Sequence, residues 1–284
     1  MRQALLRTVS RLQRRRFGAI LLGIMPMVVD THVHIYPVYE LGAFVVDTAA
    51  RLRALVPGAV PVLCLTERAG EHLFTALTGQ PVLPGTDLPL QTIEGPGGVG
   101  LCVRDPAGPL YLLPGRQVAT SERLEVLAIG RDLELADGVP AGDVIEAILA
   151  AGGLPVLTWA FGKWWFRRAP IVQALIEQFA PEQLWIGDTT MRPREWPRGG
   201  IMRRAIADGA RLLAGGDPLP SAGEATRAGR YATLLSESLD ERDPAGSIIQ
   251  ALRALPPGGR TVGARSILPS VLIRQVRHRG PVGR

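Results

Sequence analysis

The sequence predicts an α/β fold, a wound barrel of strands and helices with an antiparallel hairpin insertion. Short apolar runs alternate with stretches of helical spacing through most of the chain, as in sheets built from strand-helix-strand units. Between Pro81 and Gly130 the pattern changes to brief strand-like runs joined by turns. At 284 residues and 46% hydrophobic composition the chain can bury one large core, although two small domains would also fit.

The opening strand lies in MVVDTHVHIYP, residues 27 to 37. Positions two apart on a strand share a face, so Asp30, His32 and His34 project together. Burying three ionisable groups without partners would be costly. A metal ion would relieve both imidazoles, with Asp30 orienting one of them from behind; a pair of hydrogen-bonded core histidines is the alternative.

YELGAFVVDTAARLRALVPG then has helical spacing and stops at Pro57-Gly58, and PVLCLTER is a second strand. GEHLFTALTG reads as a brief helix closed by Gly79. PLQTIEG, VGLCVRD, PLYLLPG and RLEVLAIG are strand-like, with a hairpin turn at Asp105-Pro106-Ala107-Gly108. RLEVLAIG is the most continuously apolar of them and is expected to return to the main sheet. AGDVIEAILAAGG is a helix with Asp143 near its start, LPVLTW a strand, and APIVQALIEQFA a helix with Pro170 in its first turn. QLWIGD, IMRRAIADGA and RLLAGGD follow as strand, helix and strand. Beyond Asp217 the spacing predicts helices around Thr226 to Leu239 and Gly246 to Leu255. A basic amphipathic helix is expected from Ser266 to His278, with Ile267, Val271 and Val276 as its apolar stripe.

The net charge of +6 is unevenly placed. The first 16 residues carry six arginines and the residues after Asp243 carry seven, with no acid in either stretch, so the body between them is net acidic. Basic ends of this kind are solvated tails that could touch anionic lipid, RNA or a partner weakly; no specific nucleic-acid partner is expected. The start, MRQALLRTVSRLQRRR followed by FGAILLGIM, superficially resembles a signal peptide, but no small-residue cleavage site follows and the apolar run is too short to span a bilayer. Cys64 and Cys102 each lie in an apolar run, as reduced core thiols do. The expectation is a cytoplasmic protein with a basic arm at 1-26, a barrel at 27-243 and a basic helical extension at 244-284.

Working residues of parallel barrels gather at the carboxyl ends of the strands. The predicted strands close on or near His32 and His34, Glu67, Glu125, Trp159, Asp188 and Asp217. Glu125 is expected to see little water among Leu124, Val126, Leu127 and Ile129, so it needs an ion or a donor. Asp217 suits a ligand or general base, with a simple turn as the alternative. Asp188 could equally cap a loop.

These motifs, in this order, resemble those of the PHP phosphoesterases, the family named for polymerases and histidinol phosphatase. DTHVHIYP is similar to the family's opening H-x-H, and LTER stands where T-D-H is usual. GRQVATSERLEVLAIG resembles the Gly-Glu strand and the histidine strand after it, IEAILAAGGLPVLTWA the helix and A-H-P segment, and LLAGGDPLP the closing G-S-D-x-H. The resemblance spans roughly residues 27 to 235. It implies a distorted (β/α)7 barrel, similar to a TIM barrel, that binds divalent metal. Several ligand positions differ: Arg68, Gln117, Glu125, Trp159 and Leu219 stand where the family has ligating side chains.

What remains is a metal set of His32, His34, Glu67, Glu125 and Asp217, enough for one or two ions of zinc, manganese or iron. The resemblance implies a hydrolase acting on a small phosphorylated substrate; on that reading Asp217 and Glu125 are the candidate catalytic residues, and the charges of Arg68, Lys163 and Arg230 are candidates to steady the substrate. An amidohydrolase is one alternative, though such enzymes use more histidines than this body offers. A barrel that has lost catalysis and serves as a binding or scaffolding module is the other.

Overall fold

The computed structural model describes residues 25–279, so the basic N-terminal arm lies outside the described residues. In chain order the elements are β1 (Met27–Val33), α1 (Leu41–Leu55), β2 (Val60–Leu65), α2 (Leu73–Leu77), β3 (Leu90–Gly95), β4 (Gly98–Asp105), β5 (Gly108–Leu113), β6 (Gly115–Ala119) and β7 (Glu125–Ile129). They continue with α3 (Ala141–Ala150), β8 (Leu154–Thr158), α4 (Ala169–Gln178), β9 (Trp185–Thr189), α5 (Gly200–Ala207), β10 (Leu212–Gly215), β11 (Tyr231–Leu235), α6 (Pro244–Arg253), β12 (Thr261–Gly263) and α7 (Leu268–Arg279).

The strands form two mixed sheets, in the orders β12-β11-β1-β2-β5-β4-β3 and β10-β9-β8-β7-β6. The α/β class is therefore as expected, while strand pairing does not close a single barrel among the described residues. The sheets meet along two seams. On one, Thr31 donates its hydroxyl to the Ala214 carbonyl at 3.0 Å, and Ala214 N–H donates to the Thr233 hydroxyl at 2.8 Å. On the other, Glu67 bridges Arg116 in parallel register, with Gln117 N–H donating to the Glu67 carbonyl at 2.8 Å.

The insertion is the expected antiparallel hairpin, β3-β4-β5, with Asp105 opposite Gly108 across the turn. It joins the first sheet because β5 pairs in parallel with β2. RLEVLAIG enters the second sheet as β7, antiparallel to both β6 and β8. Helix α6 seals the hairpin: Asp243 caps it through Gly246 N–H and also accepts from Gly97 N–H in the β3-β4 turn.

One predicted feature differs, and one strand is marked by the resemblance alone. In place of a helix over Thr226 to Leu239 there is a 3-10 turn, Ala222–Arg227, and then β11. Gly229, at φ 74°, breaks the helical path, and the Thr233-Leu234-Leu235 run supplies an antiparallel partner for β1. Strand β6, GRQVA, is too polar to be recognised from periodicity. Its Arg116 is buried and donates to the carbonyls of Leu133, Arg68 and Glu71. Both cysteines are free and buried. No described helix is long and apolar enough to cross a membrane.

Candidate functional site

Strand β1 is buried along its whole length, between apolar clusters on its two faces. Asp30 lies opposite Leu63 and Val33 opposite Leu65, so a bulge falls where His32 sits and re-aims the strand tip. Strand β10 approaches this tip through Gly215, where a Cβ would lie 2.4 Å from His32 Cβ. At Gly216 a Cβ would meet the Arg227 carbonyl at 2.7 Å. The double glycine thus brings Asp217 over the histidine pair, and its N–H donates to the His32 carbonyl at 2.9 Å.

The three side chains converge. His32 Nε2 and His34 Nε2 are 3.0 Å apart, and Asp217 Oδ1 lies 3.6 Å from the first and 4.0 Å from the second. Among the described residues these three form the one group able to hold a metal, with one ligand atom from each inside 4.8 Å of the others. Both histidines are buried, and Asp217 is partly so. Burial, with the neighbouring His32 charge, pushes the His34 pKa down to about 4. Burial opposes ionisation of Asp217 as well, but His32, His34 and Arg274 outweigh it and hold its carboxyl below the usual range.

The set fits a divalent ion. Ligand atoms about 2.1 Å from a shared ion lie about 3.0–3.4 Å apart at octahedral to tetrahedral angles. The His32-His34 separation falls in that range; of the two Asp217 separations, that to His32 at 3.6 Å lies just beyond it and that to His34 at 4.0 Å further out. Two imidazoles and a carboxylate suit zinc, manganese or iron. Each Nδ1 is buried without a protein partner, so packing sets the ring orientations: the His34 ring meets His32 edge-on and lies tilted against Tyr36.

Other expected residues sit elsewhere. Glu67 accepts the Phe74 N–H at 2.7 Å through Oε1, at the start of α2, its Oε2 is buried without a hydrogen-bond partner, and it falls outside the group formed by the histidines and Asp217. Glu125 pairs with Lys163 at 2.5 Å and is partly solvated, so it needs no ion to satisfy it. Arg68 pairs with Glu71 and lies over the Tyr36 ring at 4.8 Å. Arg230 is exposed and donates Nε–H to the Thr226 carbonyl. Asp188 forms a buried two-bond pair with Arg192, at 2.7 and 2.6 Å, and accepts from Tyr231. Asp30 orients no imidazole; it accepts three backbone N–H groups, those of His32, Gly216 and Gly229. Burial raises its pKa to about 6 against the pull of those amides.

Sequence reasoning missed two neighbours of the site. Gln117 reads as a lost ligand position, yet its Oε1 lies 2.9 Å from His32 Nε2. Arg274 of α7 is buried, pairs with Glu224 and donates to the Asp217 carbonyl at 2.9 Å. Only the resemblance marked Gln117, and nothing local in the sequence marks Arg274.

No family model and no curated protein matches the chain. Among solved structures, PsfC from Pseudomonas syringae PB-5123 aligns over 90% of this chain and 98% of its own, at TM-score 0.51 and 17% identity. At that identity the likeness concerns the fold alone. The lesion-specific endonuclease PfuEndoQ from Pyrococcus furiosus aligns at TM-score 0.47 and 13% identity, over 84% of this chain and 58% of its own. Endonuclease Q in complex with a 27-mer duplex substrate bearing an abasic lesion aligns at 0.46 and 12%, over 80% and 57%. One of these aligned structures holds a duplex substrate, and the expectation of no specific nucleic-acid partner is withdrawn.

Proposed function

We propose that this protein is a metal-dependent hydrolase of a phosphate ester, working through one divalent ion held by His32, His34 and Asp217. The carrying observation is the convergence of His32 Nε2, His34 Nε2 and Asp217 Oδ1 at the tip of β1. The resemblance of DTHVHIYP and LLAGGDPLP to PHP motifs supports the same reading. On it, β1, β2 and β6 to β10 are the seven staves of a distorted barrel whose pairing lapses at the two seams.

When bound, the ion would supply a Lewis acid at the phosphoryl group and bring the pKa of a water toward neutrality. The chain's own contribution is positioning. Asp217 carries the negative charge of the ligand set, and Arg274 and the His32 carbonyl hold its backbone from opposite sides. Gln117 places a neutral amide oxygen 2.9 Å from His32 Nε2, where an acidic side chain would favour a second cation, in keeping with a single ion. Arg68 stands over Tyr36, whose ring packs on His34, and is the expected substrate cation with the shortest chain of contacts to the site.

The test is elemental analysis of the purified protein beside His32→Ala, followed by hydrolysis assays. Phosphomonoesters, phosphodiesters and oligonucleotides would be offered with manganese, zinc or iron. We expect about one ion per chain, metal affinity lowered by more than about tenfold in the variant, and metal-dependent release of product. A protein that retains no metal and cleaves no ester is a binding scaffold instead.

A further inference from the structure

Apart from the histidine pair, the segments before β11 and before α7 border an open cleft of about 710 Å3. Five guanidinium groups line it, those of Arg51, Arg194, Arg227, Arg230 and Arg265, and Ser270 lies among them. Among the described residues no carboxylate does. Four of these arginines belong to the net acidic body of the chain, and Arg265 to its basic C-terminal extension.

Hydrogen bonds hold several of these groups without neutralising them. Arg51 donates to the carbonyls of Ala228 and Ala225 and to the Thr48 hydroxyl, and Arg265 donates to the carbonyls of Pro193 and Arg194. Carbonyls satisfy donors but carry no net charge. Arg227 Nε is buried with no hydrogen-bond partner. Its nearest carboxylate, Glu224, is shared: Oε1 stands 3.8 Å from Arg227 Nε while Oε2 pairs with Arg274. Burial lowers the pKa of both Arg51 and Arg227; Arg230 adds to the effect at both and Arg274 at Arg227, against the pull of Asp47 on Arg51 and of Glu224 on Arg227.

We infer that this cleft binds a small anion bearing two or more phosphoryl groups, such as pyrophosphate or the phosphate chain of a nucleotide. Planar guanidinium forks match phosphate oxygens two at a time, and a multivalent anion would relieve the repulsion among the five arginines. The site is independent of the metal reading, since none of His32, His34 and Asp217 lines the cleft.

Titration calorimetry with pyrophosphate, inorganic phosphate and sulfate tests the assignment on the full chain, on an Arg227→Gln, Arg230→Gln double variant, and on His32→Ala. Pyrophosphate is expected to bind most tightly, to weaken by about tenfold or more in the double variant, and to bind His32→Ala unchanged. Wild-type protein alone gives a second measurement: pyrophosphate should protect Arg227 and Arg230 from phenylglyoxal, read by peptide mass. Absence of binding at millimolar pyrophosphate, full affinity in the double variant, loss of affinity in His32→Ala, or no protection of those arginines would each overturn it. So would binding of a single-stranded oligonucleotide but not pyrophosphate, because an extended polyanion needs only a basic surface.

Discussion

Asp217 occupies the left-handed backbone region, at φ 50°. Few residues other than glycine sit there unless their surroundings hold them. Here the surroundings are the His32 carbonyl on one side and Arg274 on the other. Asp217→Gly would remove the backbone strain together with the carboxylate. We expect stability within about 1 kcal/mol of wild type and loss of bound metal, read by thermal denaturation and elemental analysis of the same sample. Asp30 is the structural counterpart, fully buried and accepting three backbone amides. Asp30→Ala strands those donors, and a loss of about 3 kcal/mol or more is expected by urea denaturation.

Between elements, the decisive contact is that of β10 with β1. A methyl group at Gly215 would lie 2.4 Å from His32 Cβ and 2.6 Å from His32 N. Backbone cannot yield as a flexible side chain does, so Gly215→Ala must push the strands apart. Expected are a loss of about 1–3 kcal/mol in urea and weaker metal binding, because Asp217 moves with β10. Helix α7 is tied in by Arg274, which reaches Glu224, the Thr190 hydroxyl and the Asp217 carbonyl. Arg274→Met leaves Glu224 buried with only the longer Arg227 contact, for an expected loss of about 3 kcal/mol. Adding Glu224→Gln should restore part of it, and a double-mutant cycle measures the coupling. Along the stripe predicted for this helix only Val271 is buried, while Ile267 and Val276 are exposed, because Arg274 rather than an apolar face makes the deep contact.

At the scale of the whole molecule, two sheets meet at two seams, and the histidine pair lies beside the first. Much of this was legible in the chain. The insertion declared itself by its turn at Asp105 to Gly108, and helices α1, α3, α4 and α6 by spacing and end signals. Elements with a polar or borrowed identity were not legible: β6 because Arg116 is buried by donating to carbonyls, and β11 because its strand form depends on pairing with β1. Glu67 and Glu125 looked equal to Asp217 as ligands because all three close strands. Each instead found a nearer partner, a helix N–H for Glu67 and Lys163 for Glu125.

By itself the sequence determined the α/β alternation and the shared face of His32 and His34, since strand and helix periods are set by neighbours a few residues apart. Only the tertiary structure decided which acid and which amide join them. Asp217 and Gln117 reach β1 from far along the chain, and their arrival depends on how closely two separate sheets pack and on the glycines that allow it.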